Sequence, residues 1–371
     1  MKHQSLESAL AVMTREESLT RDFLIPRTAL NTTYNVGEFG SSDPRINFSS
    51  KKNGEETLES MKLTEWAHAQ LAGKLDIPIK YYNKMKSQEH QLFIDNVNTW
   101  LHKPKMGSEA KDDRLLIRSM DNNVRGVLST KYKPIANKQV TLVALQTLAE
   151  LQEQKKIQFN AREIVTNDTN IYLKFTSNNG FMMEPIKQDI WYPGVMIRNS
   201  EVGASKFQVD VYTWRQWCKN GAIISNGLSK VHLGKTIKGD GEIQFSEKTE
   251  ELNIAAMMSA MKDIIKQVFI PEQMNLLLER IKRSQNVLIG NPKTAVKLIA
   301  KRYKLSELEE KSVLDRFRGN TQYDLGNAVT ELARDTPGEA RQIELEEIGG
   351  EILLFEGVGF RMLPEAQGAT A

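Results

Sequence analysis

The sequence predicts an α+β fold: a central antiparallel sheet with a packed helix, flanked by helical N- and C-terminal parts. Three observations predict it. Residues 113–245 alternate β-like runs with one strong helical pattern. Residues 64–102 place apolar side chains at helical spacing, and residues 247–353 do so almost throughout.

The same changes of pattern divide the chain. We predict an N-terminal arm or extension over 1–60, a central α+β domain over 61–245 and a helical C-terminal domain over 246–371. A chain of 371 residues is long enough for one large domain or two ordinary ones.

The N-terminal elements follow from periodicity and capping residues. Residues 4–15 predict an amphipathic helix, and the polar stretch 16–58 contains two β-like runs, TALNTTYNV and RINFSS. Thr64 can cap a helix that extends to Leu75. Pro78 then begins a second helix, and residues 88–102 form a third.

The central region contains two hairpin patterns. RLLIRSM and NVRGVLS flank Asp121-Asn122, a pair that tolerates positive φ and predicts a tight turn. Asn137 is placed to cap a helix reaching Gln154. A second hairpin is predicted around Asn167-Asp168.

The remaining β-like runs of this region are VMIRN and KFQVDVYTW. In the second run the apolar positions change from one face to the other, which predicts either a bulge or a strand that is covered on both sides. Asn220-Gly221 and Asn226-Gly227 are dipeptides typical of turns.

Composition excludes several classes of protein. With 40% hydrophobic and 26% charged residues, the chain is typical of soluble globular proteins. It contains no run of about 18 apolar residues, which disfavours a membrane span, and its first residues lack the apolar centre of a signal peptide. The single cysteine, Cys218, excludes an internal disulfide. We therefore expect a cytoplasmic protein.

The charge is unevenly distributed. The net charge is +3, but residues 1–240 carry +7 and residues 241–360 carry −4. Two segments, 101–138 and 205–239, carry +5 each. Moderately basic segments are compatible with nucleic-acid binding. An ordinary solvated surface explains them equally well.

Motifs for catalysis or cofactor binding are weak, and we predict no catalytic residue, no metal and no cofactor. SKVHLGKT, residues 229–236, matches a phosphate-binding loop except for its first glycine, but Gly239 and Gly241 disfavour the helix that must follow. A strand and turn with exposed lysines is the alternative. The histidines lack zinc-site spacing, and we interpret His68 as structural. Cys218 has no local histidine and is interpreted as a small buried side chain.

The most informative stretch is 191–222, which contains three of the five tryptophans among several lysines and arginines. Aromatic rings interleaved with cations are typical of grooves that bind single-stranded nucleic acid. Core packing is the alternative for most of these rings. Asn199, Ser200 and Glu201 form a polar cluster that either binds a ligand or caps a loop.

Several segments together resemble a known family. They are LTEWAHAQLAGKLDIPIKYYNKM (63–85), RGVLSTKYKPIAN (125–137), PGVMIRNSEVG (193–203), YTWRQWCKNG (212–221) and TQYDLGNAVTELARD (321–335). In this order they resemble the phage/plasmid-like protein family called domain of unknown function 932. The resemblance implies a protein of phages, plasmids and integrative elements, in a bacterial host cytoplasm. That context raises the hypothesis of a single-strand annealing protein, a class in which subunits assemble into rings or filaments.

We therefore predict a nucleic-acid-binding protein of a mobile element, a homo-oligomer that binds single-stranded DNA and assists annealing or recombination without bond chemistry. Cations would contact phosphates, and Tyr132 or Trp214 would stack on bases. The predicted contact residues are Arg118, Arg125, Lys131, Tyr132, Lys133, Arg198, Lys206, Trp214, Arg215 and Lys219.

Two alternatives belong to other classes. A protein-interaction or assembly factor would act through the helical C-terminal part, notably SELEEKSVLDRF and ARQIELEEIGGEI. An enzyme would assemble its site from distant residues such as Asn199, Glu201 and Cys218.

Overall fold

The computed structural model describes residues 5–36, 42–52, 54–104, 113–178, 182–224 and 247–355. The strands in these ranges are β1 Thr20–Pro26, β2 Asn31–Val36, β3 Ser42–Lys52, β4 Glu55–Leu63, β5 Arg114–Met120, β6 Asn123–Ser129, β7 Phe159–Thr166, β8 Ile171–Ser177, β9 Met183–Ile186, β10 Asp189–Asn199, β11 Gln208–Arg215 and β12 Asn220–Ile224. The helices are α1 Leu6–Leu19, α2 Glu65–Lys74, α3 Ile79–Gln88, α4 His90–His102, α5 Asn137–Lys155, α6 Glu247–Val268, α7 Pro271–Gln285, α8 Pro292–Tyr303, α9 Glu307–Arg316, α10 Gln322–Asp335 and α11 Glu339–Leu353. The predicted α+β class is confirmed.

The strands form two sheets. The first has the order β1-β5-β6-β4-β3-β2, and its neighbours are antiparallel except β4 and β6, which pair in parallel. Its central hairpin, β5–β6, turns at Asp121 and Asn122 with φ of 50° and 59°. A two-residue turn of this hand requires positive φ at both positions, so the predicted hairpin is confirmed and its cause is local.

Helices α2, α3 and α4 cover one face of the first sheet. Their buried side chains, among them Leu71, Phe93 and Val97, pack with sheet residues into a single hydrophobic core. Within it His68 Nδ1 lies 2.8 Å from the Tyr82 hydroxyl. Burial lowers the pKa of His68 to about 4, and the nearby Lys86 ammonium acts in the same direction. The structural interpretation of His68 is confirmed.

The second sheet has the order β12-β11-β10-β8-β7, with β9 paired to β10. One face packs against α5 and α6, and the opposite face packs against α11. Helix α11 lies directly on the sheet, because a Cβ at Gly350 would fall 2.0 Å from the Ile223 carbonyl oxygen. The register of β10 with β11 is continuous, and residues 209–213 are buried. Strand β11 is therefore covered on both sides and has no bulge against β10.

An ion cluster is buried between the second sheet and α11. Lys174 of β8 is 1% exposed, and its Nζ lies 2.7 Å from Glu163 of β7 and 2.6 Å from Glu346 of α11. Burial alone would lower the pKa of Lys174, but the two carboxylates hold it above its ordinary value. The ammonium thus links two strands and a helix inside the protein.

The segment 1–60 contributes to both cores. Helix α1 packs through Ala9 and Met13 into the core of the second sheet, whereas β1, β2 and β3 belong to the first sheet. Helix α6 packs through Met261 and Ile265 into the same second core. Residues 229–236 and Asn226-Gly227 lie outside the described residues.

Replacing Lys174 by Met removes the cation that two interior carboxylates contact. We expect the free energy of unfolding, measured by urea denaturation, to fall by about 3–5 kcal/mol. Lys297, exposed on α8, is the control, and its replacement by Met is expected to change stability by less than about 0.5 kcal/mol. Equal effects of the two substitutions would contradict the importance of this ion cluster.

The low pKa of His68 predicts a pH dependence. The unfolded imidazole gains its proton near pH 6.5 and the folded one only near pH 4, so protonation favours unfolding in this interval. The wild type is expected to lose about 3 kcal/mol from this group as the pH falls from 7 to 4. The variant His68→Gln has no such titration. The free energy of unfolding of the wild type, relative to that of the variant, should therefore fall by that amount between pH 7 and pH 4. A difference that is constant with pH would contradict the lowered pKa of His68.

Candidate nucleic-acid interface

The structure divides the predicted contact residues between two ends of the second sheet. Arg198 pairs with Gln208 at one end of the β10–β11 ladder, and Trp191 pairs with Arg215 at the other. Seven residues of strand separate these ends by roughly 24 Å. The predicted residues therefore form two separate surfaces rather than one short track.

At the first end, the two arginines of the β5–β6 hairpin are internal. Arg118 and Arg125 are 8% and 4% exposed, and their guanidinium groups lie 3.8 and 3.6 Å from the Glu201 carboxylate. Arg118 also contacts Asp22 at 2.7 Å, and Arg125 donates to the Asp168 carbonyl at 3.0 Å. A phosphate could reach these groups only by displacing their carboxylate partner.

The polar cluster 199–201 caps a helix. Glu201 Oε1 accepts a hydrogen bond of 2.8 Å from the Asn137 backbone N–H at the start of α5. Asn199 Nδ2 donates to the Ile135 carbonyl and to Asn137 Oδ1, both at 2.8 Å. The prediction that Asn137 itself is the cap is wrong: Ala136 holds the cap position, and the carboxylate that satisfies the helix comes from 64 residues away.

The same loop attaches to the first sheet's helices. The Val202 carbonyl accepts from Trp66 Nε1 at 3.0 Å and from Gln70 Nε2 at 2.8 Å. The Tyr132 hydroxyl donates to the Ser200 carbonyl at 2.7 Å and accepts from Gly203 N–H at 3.0 Å. Tyr132, predicted to stack on bases, is half-buried and holds this junction.

Three predicted lysines at this end remain on the surface. Lys131, Lys133 and Lys206 are exposed, and none forms an ion pair with another residue in the described ranges. Arg198 differs, because it is half-buried and paired with Glu347 of α11. At the first end, therefore, lysines rather than arginines are available for an anionic ligand.

At the opposite end, the predicted Arg215 is also paired. Its Nε lies 2.8 Å from Asp189 Oδ1, and the same carboxylate accepts from the Tyr323 hydroxyl of α10. The Arg162 guanidinium lies 3.9 Å from the centroid of the Trp214 ring, which is half-buried. One face of the ring proposed for base stacking is therefore occupied by a cation of the same chain.

The most exposed large hydrophobic residue at this end is absent from the predicted contact residues. Trp217 is 82% exposed, in the turn 216–219 that joins β11 to β12. Lys219 in this turn is exposed and has a φ of 51°. Lys187 is exposed in the neighbouring β9–β10 turn, and Gln216 N–H bonds to the Ile190 carbonyl at 2.9 Å, which brings the two turns together. We call Trp217, Lys219 and Lys187 the Trp217 edge.

The turn that carries Trp217 is held firmly by α10. Asn220 Nδ2 donates to Thr330 Oγ1 at 2.5 Å, and Cys218 Sγ donates to Glu331 Oε1 at 3.1 Å. Arg334 Nη1 donates to the Cys218 carbonyl at 2.6 Å. Trp217 is thus an exposed ring on a fixed backbone.

The sequence contains a turn dipeptide, Asn220-Gly221, close to Trp217. Asn220-Gly221, predicted as a turn, begins strand β12, and the turn precedes it. Gly221 instead permits close packing, because a Cβ there would fall 2.1 Å from the Tyr212 hydroxyl oxygen. The sequence signal for Trp217 is thus its nearness to this dipeptide, because residues of a surface turn are normally exposed.

Cys218 is a structural thiol. Burial and the hydrogen bond to Glu331 raise its pKa to about 11, so it is protonated near neutral pH. Asn199 and Glu201 lie at the opposite end of the β10–β11 ladder, so the structure does not assemble the three residues considered for an enzyme. Within the described residues, no group of His, Cys, Asp or Glu side chains is arranged to hold a metal ion.

The two C-terminal helices considered for partner docking differ in exposure. Helix α11 is largely buried against α10 and β12, and it includes the fully buried Leu345 and Ile352. Helix α9 exposes Leu308 at 81%. No helix in the described part of the chain is long and apolar enough to cross a membrane.

Comparison of the chain with protein-family models, with curated proteins and with solved structures gives no match.

The raised pKa of Cys218 predicts slow thiol chemistry. Because the thiolate fraction at pH 8 is about a hundredfold smaller at a pKa near 11 than at 9, we expect the native protein to react with Ellman's reagent about a hundredfold more slowly than the urea-unfolded chain. Equal rates in the two states would contradict a structural thiol.

Proposed function

We propose that the protein binds single-stranded nucleic acid at the Trp217 edge, without chemistry on a bond. One observation carries the proposal: Trp217 is 82% exposed on a turn that hydrogen bonds hold in place. Tryptophan side chains are highly buried on average, so a ring held in solvent on an ordered turn is available for a ligand to stack on it.

Base stacking fits this arrangement. Stacking of a base on an aromatic side chain stabilises binding by about 1–3 kcal/mol and tolerates any sequence. Because the turn is already ordered by α10, little conformational freedom is lost when the ring is covered. Lys219 belongs to the same turn as Trp217, and Lys187 belongs to the neighbouring turn. In this proposal the two ammonium groups contact phosphates next to the stacked base.

The cations that serve the proposal are lysines. Arg118, Arg125 and Arg215 each contact a carboxylate within the protein, and removing them would disturb folding as well as binding. Lys187 and Lys219 form no ion pair with a described residue, so phosphate contacts at these two groups require no internal bond to break.

The resemblance to a family of phages and plasmids makes single-stranded DNA the first ligand to test. Annealing or recombination is the process that we propose for it, with self-assembly of the chain as part of that process. Binding of this kind weakens as salt increases, since phosphate contacts release counterions.

The decisive variant is Trp217→Ala. We expect its affinity for a fluorescent oligo(dT), measured by anisotropy at low salt, to fall about 5- to 150-fold, which corresponds to one lost stacking contact of about 1–3 kcal/mol. Trp217→Phe should retain much of the binding. Trp100→Ala is the matched control, because Trp100 is 40% exposed on α4 of the first sheet.

Two outcomes would contradict the proposal. One is undiminished binding by Trp217→Ala. The other is loss of binding in the triple variant Lys131→Ala/Lys133→Ala/Lys206→Ala while Trp217→Ala binds normally, which would locate the ligand at the opposite end of the second sheet.

A further inference from the structure

A second basic surface lies on α8, in the part of the chain whose net charge is negative. Lys293, Lys297 and Lys301 project from this helix, Lys304 follows it immediately, and all four are exposed. At about 100° per residue Lys293, Lys297 and Lys301 fall within an arc of roughly 80° and share one face, and Lys304 adds a fourth cation at the C-cap, where its φ is 53°. They span about 16 Å along the helix axis, in steps of about 5–6 Å.

These charges are not compensated. None of the four lysines forms an ion pair with any residue of the described ranges, and α8 itself contains no acidic residue. Arg302, on the other side of the helix, behaves differently and pairs with Glu351 at 2.8 Å. The four lysines therefore create a local positive field, which the net charge of −4 over residues 241–360 conceals.

The lysine face is held on a fixed support. The opposite face of α8 is buried, with Ala295, Val296 and Ile299 in a core shared with α10 and α11. Asn291 caps the helix by accepting from Thr294 N–H at 3.0 Å, and Pro292 begins it. Because the apolar face is covered, the helix cannot insert it into a lipid bilayer.

We propose that the α8 lysine face binds the sugar–phosphate backbone of duplex DNA, without sequence specificity. A straight, rigid row of cations matches a straight, rigid polyanion, whose strands carry one phosphate per 3.4 Å of helix axis. The only aromatic residue of α8, Tyr303, is half-buried outside the lysine arc, so this face offers no ring for stacking on single-stranded bases. The site is separate from the Trp217 edge and does not depend on it.

The test compares two pairs of lysines with the same geometry. Lys297→Ala/Lys301→Ala removes two charges four residues apart on α8, and Lys80→Ala/Lys84→Ala removes two exposed charges at the same spacing on α3. Both variants of the full-length protein have the same net charge. Binding of a fluorescent blunt duplex and of oligo(dT) is measured by anisotropy over a range of salt concentrations, after circular dichroism confirms folding.

We expect the double substitution on α8 to lower the affinity for the duplex at least tenfold at low salt. The double substitution on α3 should leave this affinity nearly unchanged. The slope of log K against log[salt] should decrease by about 1.8 for the α8 pair, since each lost phosphate contact contributes about 0.9. Lys297→Arg/Lys301→Arg should keep duplex binding, because it keeps both charges.

The outcomes separate this site from the Trp217 edge. The variant Trp217→Ala should bind the duplex normally, and the variant Lys297→Ala/Lys301→Ala should bind oligo(dT) normally. The two proposals can therefore be contradicted independently of each other. Equal losses in the α8 and α3 pairs would overturn the proposal by showing a non-localised charge effect. Binding of wild type to anionic phosphatidylserine vesicles but not to the duplex would overturn it in favour of a lipid surface.

Discussion

The carboxylate of Glu201 is the contact on which the joining of the two sheets depends. It accepts the first free backbone N–H of α5, and it lies between the guanidinium groups of Arg118 and Arg125. Helix α5 covers the second sheet, while both arginines belong to the central hairpin of the first. Buried charges are tolerated only when they are paired and hydrogen-bonded. Glu201 forms ion pairs with both arginines, at 3.8 Å from Arg118 and 3.6 Å from Arg125, and so this carboxylate lies at the junction of the two cores.

The protein uses its two kinds of cation differently. Several arginines cross-link elements inside the fold: Arg27 binds Asp113 and the carbonyl of Leu101 near the end of α4, and Arg215 joins the β9–β10 hairpin to β11. Its planar guanidinium can meet several acceptors at once, which suits cross-links between elements. Many lysines remain exposed, and Lys174 is the notable exception. The two surfaces that we propose for an anionic polymer therefore rely on exposed lysines.

Helix α10 connects the fold to both proposed surfaces. Through Thr330, Glu331 and Arg334 it fixes the turn that presents Trp217, and through Val329 and Ala333 it supports the core beneath α8. Its N-terminal Tyr323 meets Asp189, which in turn binds Arg215. A single helix thus orients an exposed ring and supports a row of cations. The two surfaces that we propose, one for single strands and one for duplex DNA, therefore depend on the same helix.

The sequence by itself determined the features that depend on near neighbours. Helical spacing predicted the helices, and Asp121-Asn122 predicted the first hairpin, because positive φ at two adjacent residues is a local property of the chain. The α+β class followed from these elements. Only the tertiary structure decided which cations are free and which aromatic ring is exposed. Glu201 reaches α5 across 64 residues, and Arg215 and Trp214 meet partners that other strands supply. Burial and ion pairing depend on such distant partners, and so no local pattern distinguished Trp217 from Trp214 or the lysines of α8 from the paired arginines.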